Sequence, residues 1–276
     1  MARQKRIALI NDITGFGRCS VTVQLPLISA MRVQTCPLPT AILSVHTGFP
    51  NHYIDDYTER MRPYMENWAA NKIGFDAILT GFLGSERQIE VVLECIARFK
   101  GRYTRVVIDP VMGDNGRLYS SYTPELCAKM CQLLPYADVV TPNLTEACRL
   151  IGMHYPADGL VSEGELREMA AAIAAMGPHD VIITGLHAGE RVRTYLYTDG
   201  VGRSFDNPKI GRDRSGAGDA FAAIVAAALV RGISLEEGAR RAADFIGLCL
   251  GYAEELDLPW NYGLPFEEYM GVLTTI

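Results

Sequence analysis

Arg105-Val-Val-Ile-Asp109-Pro110, then Thr123-Pro124-Glu-Leu-Cys-Ala-Lys-Met-Cys-Gln-Leu-Leu134, then Asp138-Val-Val-Thr141-Pro142-Asn143: these three segments decide the fold. The first is a short β-branched run stopped by a proline, which reads as a buried strand. The second opens on a threonine suited to a helix N-cap. Proline follows at the first helical position, where its missing N–H costs nothing. The third is again a short apolar run, ended by Pro142-Asn143. Strand, helix and strand in that order imply a parallel sheet with helices packed on its faces.

The alternation extends in both directions. Strands are expected at 6–10, 40–44, 76–80 and 181–184. Helices are expected at 21–31 (with Pro26 as a blemish), 56–71, 85–99, 162–176, 216–230 and 234–250. Ser162 and Glu165 form a capping-box start, and a short helix follows Asn143. Residues 191–197 and 202–205, separated by Thr198-Asp199-Gly200, read as a hairpin. No linker, repeat or low-complexity stretch interrupts the pattern. Residues 1–276 are therefore expected to form a single three-layer α/β/α domain around a mostly parallel central sheet.

Composition agrees with an ordinary folded globule: 276 residues, 49% hydrophobic, 21% charged, net charge −6. The acidic balance argues against a general nucleic-acid binder, since Lys and Arg cluster only at 3–6 and 212–214. The longest strongly apolar run, 220–230, falls well short of the roughly 20 residues that span a bilayer. A basic start is followed by an apolar stretch, 7–10, too short for a signal peptide. A soluble, cytoplasmic protein is expected. The seven cysteines are odd in number and contain no C-x-x-C pair, so they read as reduced, buried thiols. The five histidines form no H-x-x-x-H pattern, which argues against a structural zinc.

Sheets of this kind bind ligands beyond the carboxyl ends of their strands. The polar residues found there are Asn11, Asp12, His46, Thr47, Asp109, Asp114, Asn143, Glu146 and Thr184, with Gly81-Phe82 among them. The sharpest signal is Arg214-Ser215-Gly216-Ala217-Gly218-Asp219-Ala220-Phe221. Its glycines let backbone approach a ligand closely. The apolar helix that starts there points free N–H groups at the same place, a ready anion site. Asp219 inside that site can act as a base for a hydroxyl attacking a bound phosphate, or can stabilise the helix start as a first-turn acid. Asp109-Pro-Val-Met-Gly-Asp114 and Thr141-Pro-Asn143-Leu-Thr-Glu146 bring four oxygen-bearing side chains to the same rim, a donor set suited to Mg²⁺. Singly, Asp114-Asn115-Gly116 is also a plain turn, Asn143 a turn former and Glu146 a first-turn helix acid.

These motifs resemble the ribokinase superfamily and, within it, the pyridoxal/pyridoxine/pyridoxamine (vitamin B6) kinases, from about residue 7 to 250. Val45-His46-Thr47-Gly48-Phe49 resembles the family's N-H-T-G-Y segment, and Leu79-Thr80-Gly81-Phe82-Leu83-Gly84-Ser85 its L-S/T-G-Y-L-G-S segment. The resemblance implies ATP with Mg²⁺, room for a monovalent cation such as K⁺, a homodimer, and phosphate transfer to the 5′-hydroxymethyl of a B6 vitamer. It makes Asp219 the catalytic base and lines the anion hole with Gly216, Ala217 and Gly218. It sets Asp109, Asp114, Asn143, Glu146, Thr184 and Ser215 around the nucleotide, with Asp109 and Glu146 nearest the metal. Asn11, Asp12, His46, Thr47 and Phe82 fall on the substrate side. Residues 114–119 match a loop that covers the ATP phosphates.

Two departures stand out. The family's serine after the first strand, whose hydroxyl contacts the pyridine ring, is replaced by Asn11-Asp12, and its tyrosine by Phe82. Asp12 can favour a cationic amine or a protonated ring nitrogen, hence pyridoxamine, or can cap the next turn. His46 reads equally as a substrate contact or a hydrogen-bonded loop residue, and Phe82 as a stacking surface or core. Trp68 and Trp260 read as packing residues. Gly15-Phe-Gly17 is a partial dinucleotide fingerprint, yet no acid lies between Asp12 and Asp55 to hold a ribose. No G-x-x-x-x-G-K-[ST] loop occurs. The rival readings are a hydroxymethylpyrimidine kinase on the same scaffold and a non-catalytic binder of a B6 compound.

Overall fold

Along the first strand Ile7 and Leu9 face one helical layer while Ala8 and Ile10 face the other, and all four are fully buried. That double-sided burial marks a central strand of a covered parallel sheet. The computed structural model describes residues 3–275. In chain order the elements are β1 (Arg6–Phe16), α1 (Val21–Ala30), β2 (Gln34–Val45), β3 (Ile54–Asp56), α2 (Thr58–Ala70), β4 (Ala77–Thr80), α3 (Glu86–Phe99) and β5 (Arg105–Ile108). A two-stranded hairpin of β6 (Gly113–Asp114) and β7 (Arg117–Leu118) precedes α4 (Pro124–Met130), β8 (Val139–Val140), α5 (Leu144–Leu150) and α6 (Glu163–Ala174). The chain continues with β9 (Asp180–Ala188), β10 (Arg191–Thr198), β11 (Val201–Pro208), α7 (Ala217–Val230), α8 (Leu235–Glu255) and two 3₁₀ segments, Trp260–Tyr262 and Glu267–Thr275.

The main sheet has the order β11-β10-β9-β8-β5-β4-β1-β2-β3. The run from β9 to β2 is parallel, and β3, β10 and β11 add antiparallel edges. Helices α2 to α6 cover one face; α1, α7, α8 and the C-terminal 3₁₀ segment cover the other. The three-layer α/β/α expectation holds. Thr123 caps α4 by accepting from the Leu126 N–H (3.2 Å), and Ser162 with Glu165 forms the expected capping box. Among the described residues no helix is long and apolar enough to cross a membrane. All seven cysteines are unpaired, with Cys36 and Cys131 only half-buried.

Several boundaries differ from the sequence reading. β1 does not stop at Asn11-Asp12: it passes through a bulge there and runs to Phe16. β2 begins at Gln34, because Pro37 and Pro39 lie where β3 does not pair and the outer edge is open. Asp56 belongs to β3, and its carboxylate accepts from the Thr58 N–H (2.7 Å) to start α2. The helix expected over 123–134 tightens to 3₁₀ geometry after Met130. Trp68 packs between Tyr64, Phe75 and Phe99 as expected, whereas Trp260 is 48% exposed beside His46.

Candidate active site

Ile10, Thr80, Ile108, Val140 and Val181 stand in register across the parallel strands, so Asn11 and Asp12 of β1, the residues just past β4, β5 and β8, and Thr184 of β9 share one edge with the start of α7. Gly216 caps α7 with φ 87°, and a Cβ there would stand 1.9 Å from the Arg18 carbonyl oxygen. Only glycine fits both the left-handed backbone and that contact. The Ala220 N–H is the first bonded in helical register, to the Gly216 carbonyl (2.8 Å). Before it, the Ala217 N–H reaches back to the Arg214 carbonyl (3.4 Å), and Gly218 is open: a Cβ there would meet nothing within 4 Å. The chain thus places a glycine-capped helix start at the expected position.

Asp219 sits in this first turn, partly open to solvent. One carboxylate oxygen accepts from the Asn11 amide (3.0 Å) and the other from the Ser20 N–H (2.8 Å). Burial raises the carboxyl to about 6, the Ser20 N–H opposes the rise, and Asp12 adds to it. The group is therefore poised between acid and base near neutrality. Asp12 is itself buried and raised by desolvation, and its carboxylate accepts from the Thr14 hydroxyl (2.6 Å).

Across the edge, Asn143 and Glu146 form a reciprocal capping box on α5. Glu146 accepts from the Met112 N–H (3.1 Å) and the Asn143 N–H (2.8 Å), and the Asn143 amide donates to the Gly113 carbonyl (2.8 Å). Thr145 accepts from the Gly116 N–H (2.8 Å). The first turn of α5 thus holds the β6–β7 hairpin, whose Asn115 and Gly116 both have positive φ, as a two-residue hairpin turn requires. The turn-and-cap reading of these residues is correct, and it coexists with their position at the rim.

Asp109 differs. It is buried, and its carboxyl has no hydrogen-bond partner among the described residues. Desolvation holds it well above the usual carboxylate range, and Glu146 and Asp219 push the same way. One strand over, the Thr141 hydroxyl is buried and also without a partner among the described residues. A buried hydroxyl without a partner, beside a desolvated carboxyl, is costly unless a cation or water meets it. This donor set fits a hard cation such as Mg²⁺ bound largely through water. Among the described residues no three His, Cys, Asp or Glu side chains converge as a ready-made metal centre. Glu146 already serves two N–H groups, so the expected Asp109–Glu146 pair is not a bare two-carboxylate site. Asp114 is exposed on the hairpin, Thr184 lies beside Asn143 through a single bridge, and Ser215 lies just before the Gly216 cap.

On the substrate side, His46 is held at both ring nitrogens. The Gly48 N–H donates to Nδ1 (3.0 Å), which leaves the proton on Nε2 to donate to the Asn261 carbonyl (2.8 Å). The loop-histidine reading is correct, and no ring nitrogen is left for a ligand. Thr47 is exposed, and Phe82 is half-buried edge-on to Tyr122. Asn11, expected as a substrate contact, has its whole side chain engaged within the protein. It donates to Gln24 (2.9 Å) and Asp219, and accepts from the Asp12 and Phe82 N–H groups (2.9 and 2.8 Å).

Three contributors escape a reading of the sequence. Gln24, fully buried on α1, also donates to the Asp219 carbonyl (3.3 Å); a lone glutamine on an apolar face is its only signal. Arg214, from the short basic cluster, donates to the Pro259 and Leu258 carbonyls (3.0 and 2.9 Å) and pairs with Glu254. It anchors the segment carrying Trp260 and Asn261. Tyr119 follows β7 and is 42% exposed; desolvation and the charges of Glu146, Asp114, Asp219 and Asp109 raise its hydroxyl.

Residues 25–258 match the family model described as phosphomethylpyrimidine kinase. A hydroxymethylpyrimidine/phosphomethylpyrimidine kinase of Rhizobium meliloti is 28% identical over 254 residues, covering 90% of this chain and 91% of its own. A Bacteroides thetaiotaomicron protein described as a phosphomethylpyrimidine kinase, crystallised with pyridoxal, superposes with a TM-score of 0.92. It is 35% identical, covering 99% of this chain and 96% of its own. Pyridoxal kinase from Staphylococcus aureus, solved with AMP-PCP and pyridoxal, gives a TM-score of 0.78 at 25% identity, covering 91% and 89%. The chain spans 37% to 63% of the length of other curated relatives it matches. One model accounts for most of the chain and the fold coincides with that of pyridoxal kinases, so the protein belongs to the phosphomethylpyrimidine kinase family, in the ribokinase-like superfamily.

Proposed function

We propose that this chain is an ATP-dependent kinase that phosphorylates the 5′-hydroxymethyl group of a vitamin B6 vitamer. The observation that carries the proposal is Asp219: a carboxylate raised to about 6, oriented at both oxygens, inside a helix N-terminus built to receive an anion. In this reading the substrate hydroxyl stands at Asp219, which removes its proton as the phosphoryl group is transferred. The N–H groups at Gly216, Ala217 and Gly218 stabilise the charge that develops on that group. Mg²⁺, when bound, neutralises the phosphates; Asp109, Thr141 and Glu146 are the residues that would hold it, mostly through water. The β6–β7 hairpin shields the phosphates from solvent. Nucleotide- and pyridoxal-bound relatives support the substrate pair. A single kinase domain acting as a cytoplasmic homodimer belongs to the same reading.

A second reading, phosphorylation of a hydroxymethylpyrimidine, is favoured by the family description and by the R. meliloti relative. The two separate in one experiment. Protein with MgATP and, separately, pyridoxal, pyridoxine, pyridoxamine or hydroxymethylpyrimidine is followed by ADP release. Turnover on a B6 vitamer is expected, and turnover confined to the pyrimidine selects the second reading. Asp219→Ala should retain vitamer binding by calorimetry while losing about 10²–10⁴-fold in kcat. Binding by the wild-type protein without any ADP release means a binder, not an enzyme.

A further inference from the structure

We infer that Asn11, backed by Gln24, is a positioning residue for the base: its amide fixes the carboxylate of Asp219 instead of contacting substrate. The inference rests on the kinase reading of Asp219. It starts from saturation. Asn11 is fully buried, its two amide hydrogens go to Gln24 and Asp219, and its carbonyl oxygen takes the Asp12 and Phe82 N–H groups. No donor or acceptor is left for a ligand. The two accepted N–H groups also settle which end of the amide is which. The oxygen must face them, so the nitrogen must face Asp219.

A second observation comes from the neighbouring strand. A Cβ on Gly81 would stand 2.3 Å from the Asn11 amide nitrogen. Glycine at this position makes room for the asparagine. Gln24 completes the arrangement by accepting from Asn11 and donating to the Asp219 backbone carbonyl, which ties the side chain and main chain of the base to one buried amide pair. The consequence for substrate is direct. The position where the resembling kinases use a serine against the pyridine ring here serves the base, so other groups must recognise the ring.

Asn11→Asp tests this with little change of shape, because the carboxylate can still accept from the Asp12 and Phe82 N–H groups. The donor to Asp219 is lost. The other ionisable groups around Asp219 are Asp12 and Cys19 from the β1–α1 side, Asp109 from β5 and Tyr119 from the hairpin, and all are unchanged by the substitution. Expected are a kcat at pH 7 lower by about 10-fold or more, an acid limb of kcat/KM displaced upward by about one pH unit, and partial recovery of turnover at pH 9. KM for MgATP should be unchanged. Wild-type kcat with an unmoved limb overturns the inference, and so does a lower kcat with an unmoved limb, which indicates a structural role only. If the Asp variant does not fold, Gln24→Met slackens the same amide without adding charge. It should lower kcat several-fold at constant KM for MgATP, and full activity overturns the inference. Absence of turnover by the wild-type protein, or full activity of Asp219→Ala, rejects the kinase reading and is read separately.

Discussion

Asp219 is held in the folded protein against its own ionisation, and that has a measurable cost. Burial raises its carboxyl from 3.8 to about 6. Carrying the charge at neutral pH then costs the native state about 3 kcal/mol, at about 1.36 kcal/mol per pH unit. The sign follows from proton counting. Between pH 4 and 6 the folded protein keeps a proton that the unfolded chain has released. The contribution to stability is therefore full below pH 4 and lost as pH rises through 6. Asp219→Asn does not titrate, so its stability relative to wild type should climb by about 2.4 kcal/mol between pH 4 and 7. The new amide also turns a donor toward Asn11 or Ser20, but that offset is the same at every pH and leaves the slope intact. Urea unfolding of both proteins at pH 4, 5, 6 and 7 measures it. A difference that stays flat across this range refutes the reasoning. Activity should report the same titration. The ionised fraction falls from about nine-tenths at pH 7 to about one-tenth at pH 5, so kcat/KM should drop about tenfold over that interval. A limb centred near pH 4 would mean that burial does not perturb the group.

Gly216→Ala forces an L-residue into left-handed backbone, at about 1–2 kcal/mol, and drives a Cβ into the Arg18 carbonyl; lower urea stability and a greatly reduced kcat are expected, and a neutral outcome in both rejects the role of that turn. Arg214→Met removes the donors that hold Leu258 and Pro259. It should cost about 2 kcal/mol and speed chymotryptic cleavage at Trp260 and Tyr262; an unchanged cleavage rate would show that the segment is anchored elsewhere.

Much of the fold was legible because its signals are local. Pro110 and Pro142 stop strands, Thr123-Pro124 and Ser162–Glu165 start helices, and the β-branched runs between them are short enough to be only strands. The boundaries of β1 and β2 were misread because a distant partner overrides local preference. β1 runs past Asn11-Asp12 because β2 pairs alongside it through the bulge, and β2 tolerates two prolines because one edge is free. The site was legible as a set of residue types at strand ends. Which of them are free to act was not legible, since that depends on partners far away in sequence.

The alternation of strands and helices, and with it the edge where ligands must bind, is written in the chain, as is the glycine-bounded helix start that carries Asp219. Both follow from backbone preferences that act within a few residues. The division of labour at that edge arises with the assembled fold. Asn11 and His46 look like ligand groups in the chain, yet their polar atoms are satisfied by Gln24, Asp219, Gly48 and Asn261, with the Asp12 and Phe82 N–H groups completing Asn11. Asp109 keeps an unpartnered carboxyl among the described residues, and Asp219 is lifted toward neutrality by burial beneath elements that meet only when the sheet is assembled. Hydrogen-bond saturation and desolvation are properties of a residue's surroundings, and those surroundings come into being with the fold.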